Sequence, residues 1–227
     1  MSLARRLQGA GKTVYTPVVT YQGSITGTGT TITYTAAPIG TAAANRVVIV
    51  TTGARDVTGS TSGYVTSVSI GGITATKQVE SPATPVGLVS IWSAVVPTGT
   101  TANVVVGYSG SSTGVAFSVH TIHGGASATA KLTASASDDT ASTSISTTMN
   151  VSVDDIVIMT CASDSTGSFL TFVGVTKKYE ADQLNGTRGI YAVGSDIMTA
   201  TQTGRTFSTS QSSSDRRKGI AVASFNK

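Results

Sequence analysis

The chain has 227 residues and a net charge of +4, with only 11% of residues charged and 6% aromatic. That length fits one large β domain or two small ones, and it can bury a core without disulfides. Dense blocks of Val, Ile and Thr exclude a disordered chain. The fifteen Lys and Arg are too scattered for a nucleic-acid-binding stripe, and no run nears the ~18 apolar residues of a membrane-spanning helix.

Residues 1–13 stand apart. Leu3 and Leu7 lie four apart with Arg5 and Arg6 between them, and Gly9, Ala10 and Gly11 then break any helical turn before Lys12. The segment reads either as a frayed terminus or as an extended basic arm laid on a neighbouring subunit. No apolar stretch follows the two arginines, so no secretory signal is expected.

From residue 14 onward, β patterns follow one another. Residues 14–21 alternate, and Gly23, Gly27 and Gly29 read as a loop before a short strand at 30–36. Residues 46–52 (RVVIVTT) are too continuously apolar to have a wet face, which places them centrally in a sheet. After a loop at 53–63, two strands meet across Gly71-Gly72, a hairpin signal because both positions take positive φ without steric cost. Strands are predicted at 86–96, 102–109 and 115–122, with Val115, Phe117 and Val119 on one face. Further strands are predicted at 129–135, 142–149, 154–163, 169–180, 189–195, 205–211 and 219–225, of which 154–163 is central. No amphipathic helix of ten residues is found. The pattern predicts an all-β antiparallel β-sandwich, jelly-roll-like, with the arm at 1–13 and the sandwich at 14–227. The alternative reading of 14–227 is a small N-terminal β segment at 14–52 followed by a main jelly roll at 64–227.

Catalytic patterns are weak. His120 and His123 sit at a predicted strand end, where a period of two sends their rings to opposite faces. They read as edge residues bonded to nearby backbone. Asp138-Asp139 and Asp154-Asp155 lack the alternating ligands of a calcium loop. GSTSG (59–63) centres on Thr61 and GAGK (9–12) lacks phosphate-loop spacing. Cys161, the one cysteine, reads as a buried thiol. Trp92 alternates with Ile91, so one of the two should face outward. Trp92 reads as a core anchor, or with Tyr108 or Tyr64 as a sugar-stacking platform.

The order of motifs from Gly71 onward carries a resemblance. WSAVVPTGTT (92–101), VVVGYS (104–109), VAFSVHTIHG (115–124), DDIVI (154–158) and RRKGIAVASF (216–225) resemble β-sandwich virion proteins of tailed bacteriophages over residues 64–227. The resemblance implies a capsid decoration (cement), head-fibre or tail-associated protein. It implies a homo-oligomer bound to the major capsid protein or other virion proteins, with no catalytic residues and no cofactor. The expected contacts are Leu3, Arg5, Arg6, Leu7 and Lys12 in the arm and Arg216, Arg217 and Lys218 near the end. The alternative is a tail or host-adsorption protein that contacts host glycan through Trp92 and Tyr108.

Overall fold

The computed structural model describes residues 16–55, 64–82, 88–164, 167–182, 184, 189–215 and 217–226. The arm residues Leu3, Arg5, Arg6, Leu7 and Lys12, and Arg216, lie outside them. The described residues hold strands and no helix. Seven strands precede residue 124: β1 (Val18–Pro38), β2 (Val47–Arg55), β3 (Val65–Ile70), β4 (Ile73–Thr74), β5 (Thr76–Glu80), β6 (Leu88–Val95) and β7 (Thr101–His123). Eight follow: β8 (Leu132–Asp138), β9 (Ser142–Val151), β10 (Ile156–Ser163), β11 (Phe169–Val173), β12 (Lys177–Ala181), β13 (Ile190–Ile197), β14 (Gln202–Asp215) and β15 (Lys218–Phe225).

All pairings are antiparallel. A seven-stranded sheet runs β4-β3-β7-β2-β6-β5, with β1 along the other side of β7. A five-stranded sheet runs β12-β13-β10-β15-β8, and a three-stranded sheet runs β11-β14-β9. The Gly71-Gly72 turn joins β3 to β4 with φ of 58° and 83°. As their continuous apolar runs predict, β2 lies between β6 and β7, and β10 between β13 and β15.

Two expected loops are strand. β1 runs through Gly23, Gly27 and Gly29, and β7 joins 102–109 to 115–122 without a break. The glycines act as bends inside β1: its register against β7 shifts at Tyr21/Gly23, Gly27/Gly29 and Gly29/Thr31. A Cβ on Gly27 would stand 3.0 Å from Ile32 Cδ1, so the strand turns a corner there that a side chain would block. Conversely, the single strand expected at 169–180 is two, β11 and β12, in different sheets. Because β1 and β2 both pair with β7, strand pairing does not separate 14–52 from the later strands.

The chain builds one unit twice. The first half of β1, the second half of β7 and β2, β6 and β5 form the order β5-β6-β2-β7-β1, while the remaining halves with β3 give β3-β7-β1. These are the orders of the second and third sheets, strand for strand. The registers agree too. Val47–Ala54 pairs with Val95–Leu88 as Ile156–Ser163 pairs with Ile197–Ile190. The bulge between Lys77 and Val79 recurs between Lys177 and Tyr179, and that between Val65 and Ser67 recurs between Phe169 and Thr171. The turns entering β2 and β10 match: Arg46 N–H donates to Ala43 O and Val96 N–H to Arg46 O, as Asp155 N–H donates to Ser152 O and Met198 N–H to Asp155 O. Little sequence survives between the units; the clearest trace is ATKQVES (75–81) against VTKKYEA (175–181).

Three cores result from this arrangement. In the first unit, Ile32, Val68, Val104 and Val106 pack with Val48, Val50, Trp92, Phe117 and Val119. In the second, Ile145, Met149, Phe169 and Phe207 pack with Val157, Met159, Cys161, Ile220 and Val222. Between the units, Val47, Ile49, Ile91 and Ile122 meet Ile156, Ile158, Tyr191, Val193 and Phe225. The five-stranded layers therefore bury both faces, which is why β2, β10 and β15 read as unbroken apolar runs. Each such Val, Ile or Phe contributes about 1.5–3 kcal/mol of burial. The layers face each other in reversed order, with β2 against β10, β5 beside β8 and β1 beside β12.

Candidate functional site

Of the residues read as a stacking platform, Trp92 and Tyr108 are unavailable for it, while Tyr64 is half-buried. Trp92 is 6% exposed and Tyr108 6%, both within the first unit's core. The Trp92 indole N–H donates to Ser90 Oγ at 2.7 Å, and Lys77 Nζ lies 5.6 Å from the ring. Ile91 is fully buried in the inter-unit core, so neither member of the Ile91–Trp92 pair faces outward. The expectation fails because β6 has a core on each side.

Of the described basic residues near the end of the chain, Lys218 is committed internally. Lys218 is 1% exposed; its Nζ donates to Thr140 O at 3.0 Å and lies 3.3 Å from Asp138. Arg217 reaches toward Asp139 at 3.8 Å and Asp164 at 3.9 Å. Asp138 also accepts from Ser142 Oγ at 2.6 Å, Thr140 Oγ1 at 2.6 Å and Thr140 N–H at 2.8 Å. These bonds, led by Ser142, hold its carboxyl well below the usual carboxylate range. The β8–β9 corner is thus closed by an acid–base cluster joining residues some eighty positions apart in the chain.

His120 is not an edge residue. It is fully buried between Tyr21 on β1 and Ile49 on β2, and neither ring nitrogen has a hydrogen-bond partner among the described residues. Burial, with a contribution from Lys178, lowers its pKa to about 3, so the ring is neutral. Tyr21 meets it edge-on with ring centroids 5.4 Å apart. Nearby, the fully buried Tyr191 hydroxyl lies 2.7 Å from Thr51 Oγ1 and 3.0 Å from Ser118 Oγ, and Ser118 Oγ lies 2.6 Å from Ser24 Oγ. This network pins the second unit to the first. His123 is only partly buried, and partial desolvation, then Arg46, lowers its pKa.

Two ionic anchors occupy equivalent positions: Arg46, which the sequence did not single out, and Asp155 of the acidic pair before 156–163. Arg46 is fully buried, and its guanidinium donates to Val96 O, Gly40 O, Gly99 O and Thr98 O at 2.6–2.8 Å. It ties together the loops at 39–46 and 96–100. Asp155, at 1% exposure, accepts from Ser152 N–H at 2.8 Å and from Lys131 Nζ at 3.0 and 3.1 Å. A charged residue immediately before an apolar strand, as in RVVIV and DIVIM, is the signal that marks both.

The Lys131–Asp155 pair lines a cavity of about 250 Å³ at the junction of the units, with Pro17, Val153, Ile156 and Phe225 around it. Among the described residues, no three His, Cys, Asp or Glu side chains gather to hold a metal ion. The outer faces are of another kind. Thr31, Thr33, Ser67 and Asn103 are exposed on the first unit's three-stranded layer, and Ser144, Ser146, Thr148 and Thr206 on the second unit's. Both ends of the molecule therefore present hydroxyl-covered sheet. No protein-family model matches the chain, and no curated protein matches it.

Proposed function

We propose that this chain is a structural virion protein of a tailed bacteriophage, a capsid decoration (cement) protein whose two units act as jelly-roll-like sandwiches. The observation that carries this reading is the duplicated unit, which turns three cores inward and leaves uncharged Ser/Thr faces at both ends. Such faces repel neighbours weakly and suit close packing against a lattice. A cement role asks for contacts of more than ~1,000 Å² across capsomer joints, and the arm at 1–13 would add to them. The proposed partners are the major capsid protein and further copies of the chain, with assembly in the host cytoplasm and release in the virion.

The test is co-sedimentation of the purified protein with heads of a phage that encodes it. Saturable binding and a higher melting temperature of the heads are expected. Deleting residues 1–13 should abolish attachment while leaving the melting temperature of the protein unchanged. Recovery only in tails would support the tail or host-adsorption alternative, and recovery in neither would overturn the virion reading. That alternative has lost its proposed glycan platform, since Trp92 and Tyr108 are interior.

A further inference from the structure

Sheet edges differ sharply in how they are guarded. The edge strands β5 and β12, which are equivalent, each carry a bulge and an ion pair, Lys77–Glu80 at 2.7 Å and Lys177–Glu180. Charge and a bulge on an edge strand are devices that prevent another strand from adding there. Their survival in both units, where most of the sequence has diverged, marks these edges as kept closed. Edge strands β4 and β11 are only 2 and 5 residues long. β8 ends in the Asp138–Lys218 cluster, and the edge strand β9, also uncharged, is 10 residues long, less than half the length of β1.

β1 is irregular too, its register against β7 shifting at four points, but it has neither charge nor brevity to guard it. Its 21 residues contain no charged side chain, and among the described strands it pairs with β7 alone. We infer that the outer edge of β1 is a self-pairing surface, filled by β1 of a second copy of this chain in antiparallel, two-fold related fashion. The bend identifies the occupant. β1 turns from one layer to the other at Gly27–Thr31, in the middle of Val18–Pro38. A partner that follows the whole edge must bend at its own midpoint, and an antiparallel second β1 places bend on bend. Such isologous pairing also brings no like charges together. A strand of 21 residues rising ~3.4 Å per residue is roughly 70 Å long, and with a sheet thickness of ~10 Å it offers roughly 700 Å² per partner, near the ~800 Å² of a standard interface.

This inference deepens the assembly reading above. Its test reads association between chains and not binding to heads, so either can fail alone. The experiment is sedimentation velocity on the full chain across the micromolar range, with a T26K/T30K variant. Thr26, Thr28 and Thr30 are exposed around the proposed axis, so two lysines per copy set four like charges face to face. The wild type is expected at twice the 22.8 kDa chain mass, and the variant at the single-chain mass with an unchanged melting temperature. A wild type that stays monomeric, or a folded variant that still dimerises, overturns the inference. Should the variant misfold, hydrogen exchange on the wild type decides: β1 amides must gain protection as concentration rises, and dimerisation without that gain overturns it.

Discussion

The first unit, residues 18–123, and the second, residues 132–225, share every strand neighbour except the short β4, yet they fill their interiors differently. Trp92 and Val68 in the first unit correspond to Gly194 and Phe172 in the second, by their pairings with Val50 and Val106 and with Met159 and Thr209. A Cβ on Gly194 would stand 2.6 Å from Phe172 Cε1. The bulk has moved from one strand to the facing one. The inter-unit face repeats the lesson. Tyr191 lies so close over Gly53 that a Cβ there would be 2.3 Å from Tyr191 Cδ2, while the corresponding positions hold Val89 and Ala162. Volume is held and residue identity is not, as close-packed interiors permit. Register and bulges, which set the direction of every side chain, stay fixed.

The comparison breaks most visibly at the Trp92 site. Trp92→Gly is expected to cost about 3–5 kcal/mol in urea unfolding, the usual cost of emptying a large aromatic site. Val68→Phe alone overpacks, costing about 1–3 kcal/mol. If the units exchange bulk as described, W92G/V68F recovers at least ~1 kcal/mol against the sum of the single changes; strict additivity would refute the correspondence.

The anchors at Arg46 and Asp155 should differ in weight. Arg46→Ala strips four carbonyls of a charged donor, that of Val96 buried and the other three partly so, and should cost about 3 kcal/mol. Asp155→Ala leaves Lys131 able to turn to water, so about 1–2 kcal/mol is expected. Equal midpoint shifts in the two variants would contradict the geometry.

A smaller effect separates the units by pH. His120 has Ala223 as its counterpart, so only the first unit carries a buried imidazole. Its folded pKa, about 3, lies below its ordinary 6.5, so the unfolded chain binds the proton first. The stability is complete above pH 6.5 and falls with acidification toward pH 3, by up to about 1.4 kcal/mol per pH unit. Lys178 acts in the same direction. Comparing urea midpoints at pH 7 and 4.5, His120→Phe should flatten this fall relative to wild type; an unchanged slope would show that His120 titrates normally. Smallest of all, Lys177→Ala should cost no more than about 1 kcal/mol, since its pair with Glu180 is half exposed.

The features legible in the sequence are those set by local pattern. The apolar runs at 46–52 and 154–163 and the Gly71-Gly72 turn announce themselves within a few residues. The shared face of Val115, Phe117 and Val119 appears as period-two alternation. The hidden features are non-local. Gly27 looks like a loop residue until Ile32 is seen folded against it. The partnership of Asp138 with Lys218 depends on β8 meeting β15, which no local signal states. Whether Trp92 faces water or core depends on what covers each side of β6. The duplication itself is masked because exchanges such as Trp92 with Val68 for Gly194 with Phe172 erase identity while keeping volume.

The central claim is two units with one register, and cross-strand nuclear Overhauser effects between backbone protons test it most directly. Contacts are predicted for Val50 with Trp92 and, equivalently, Met159 with Gly194. They are also predicted for Val79 with Ile91 and Tyr179 with Val193, with Gln78 and Lys178 both skipped as bulges. A register displaced by even one residue in one unit relative to the other would contradict it.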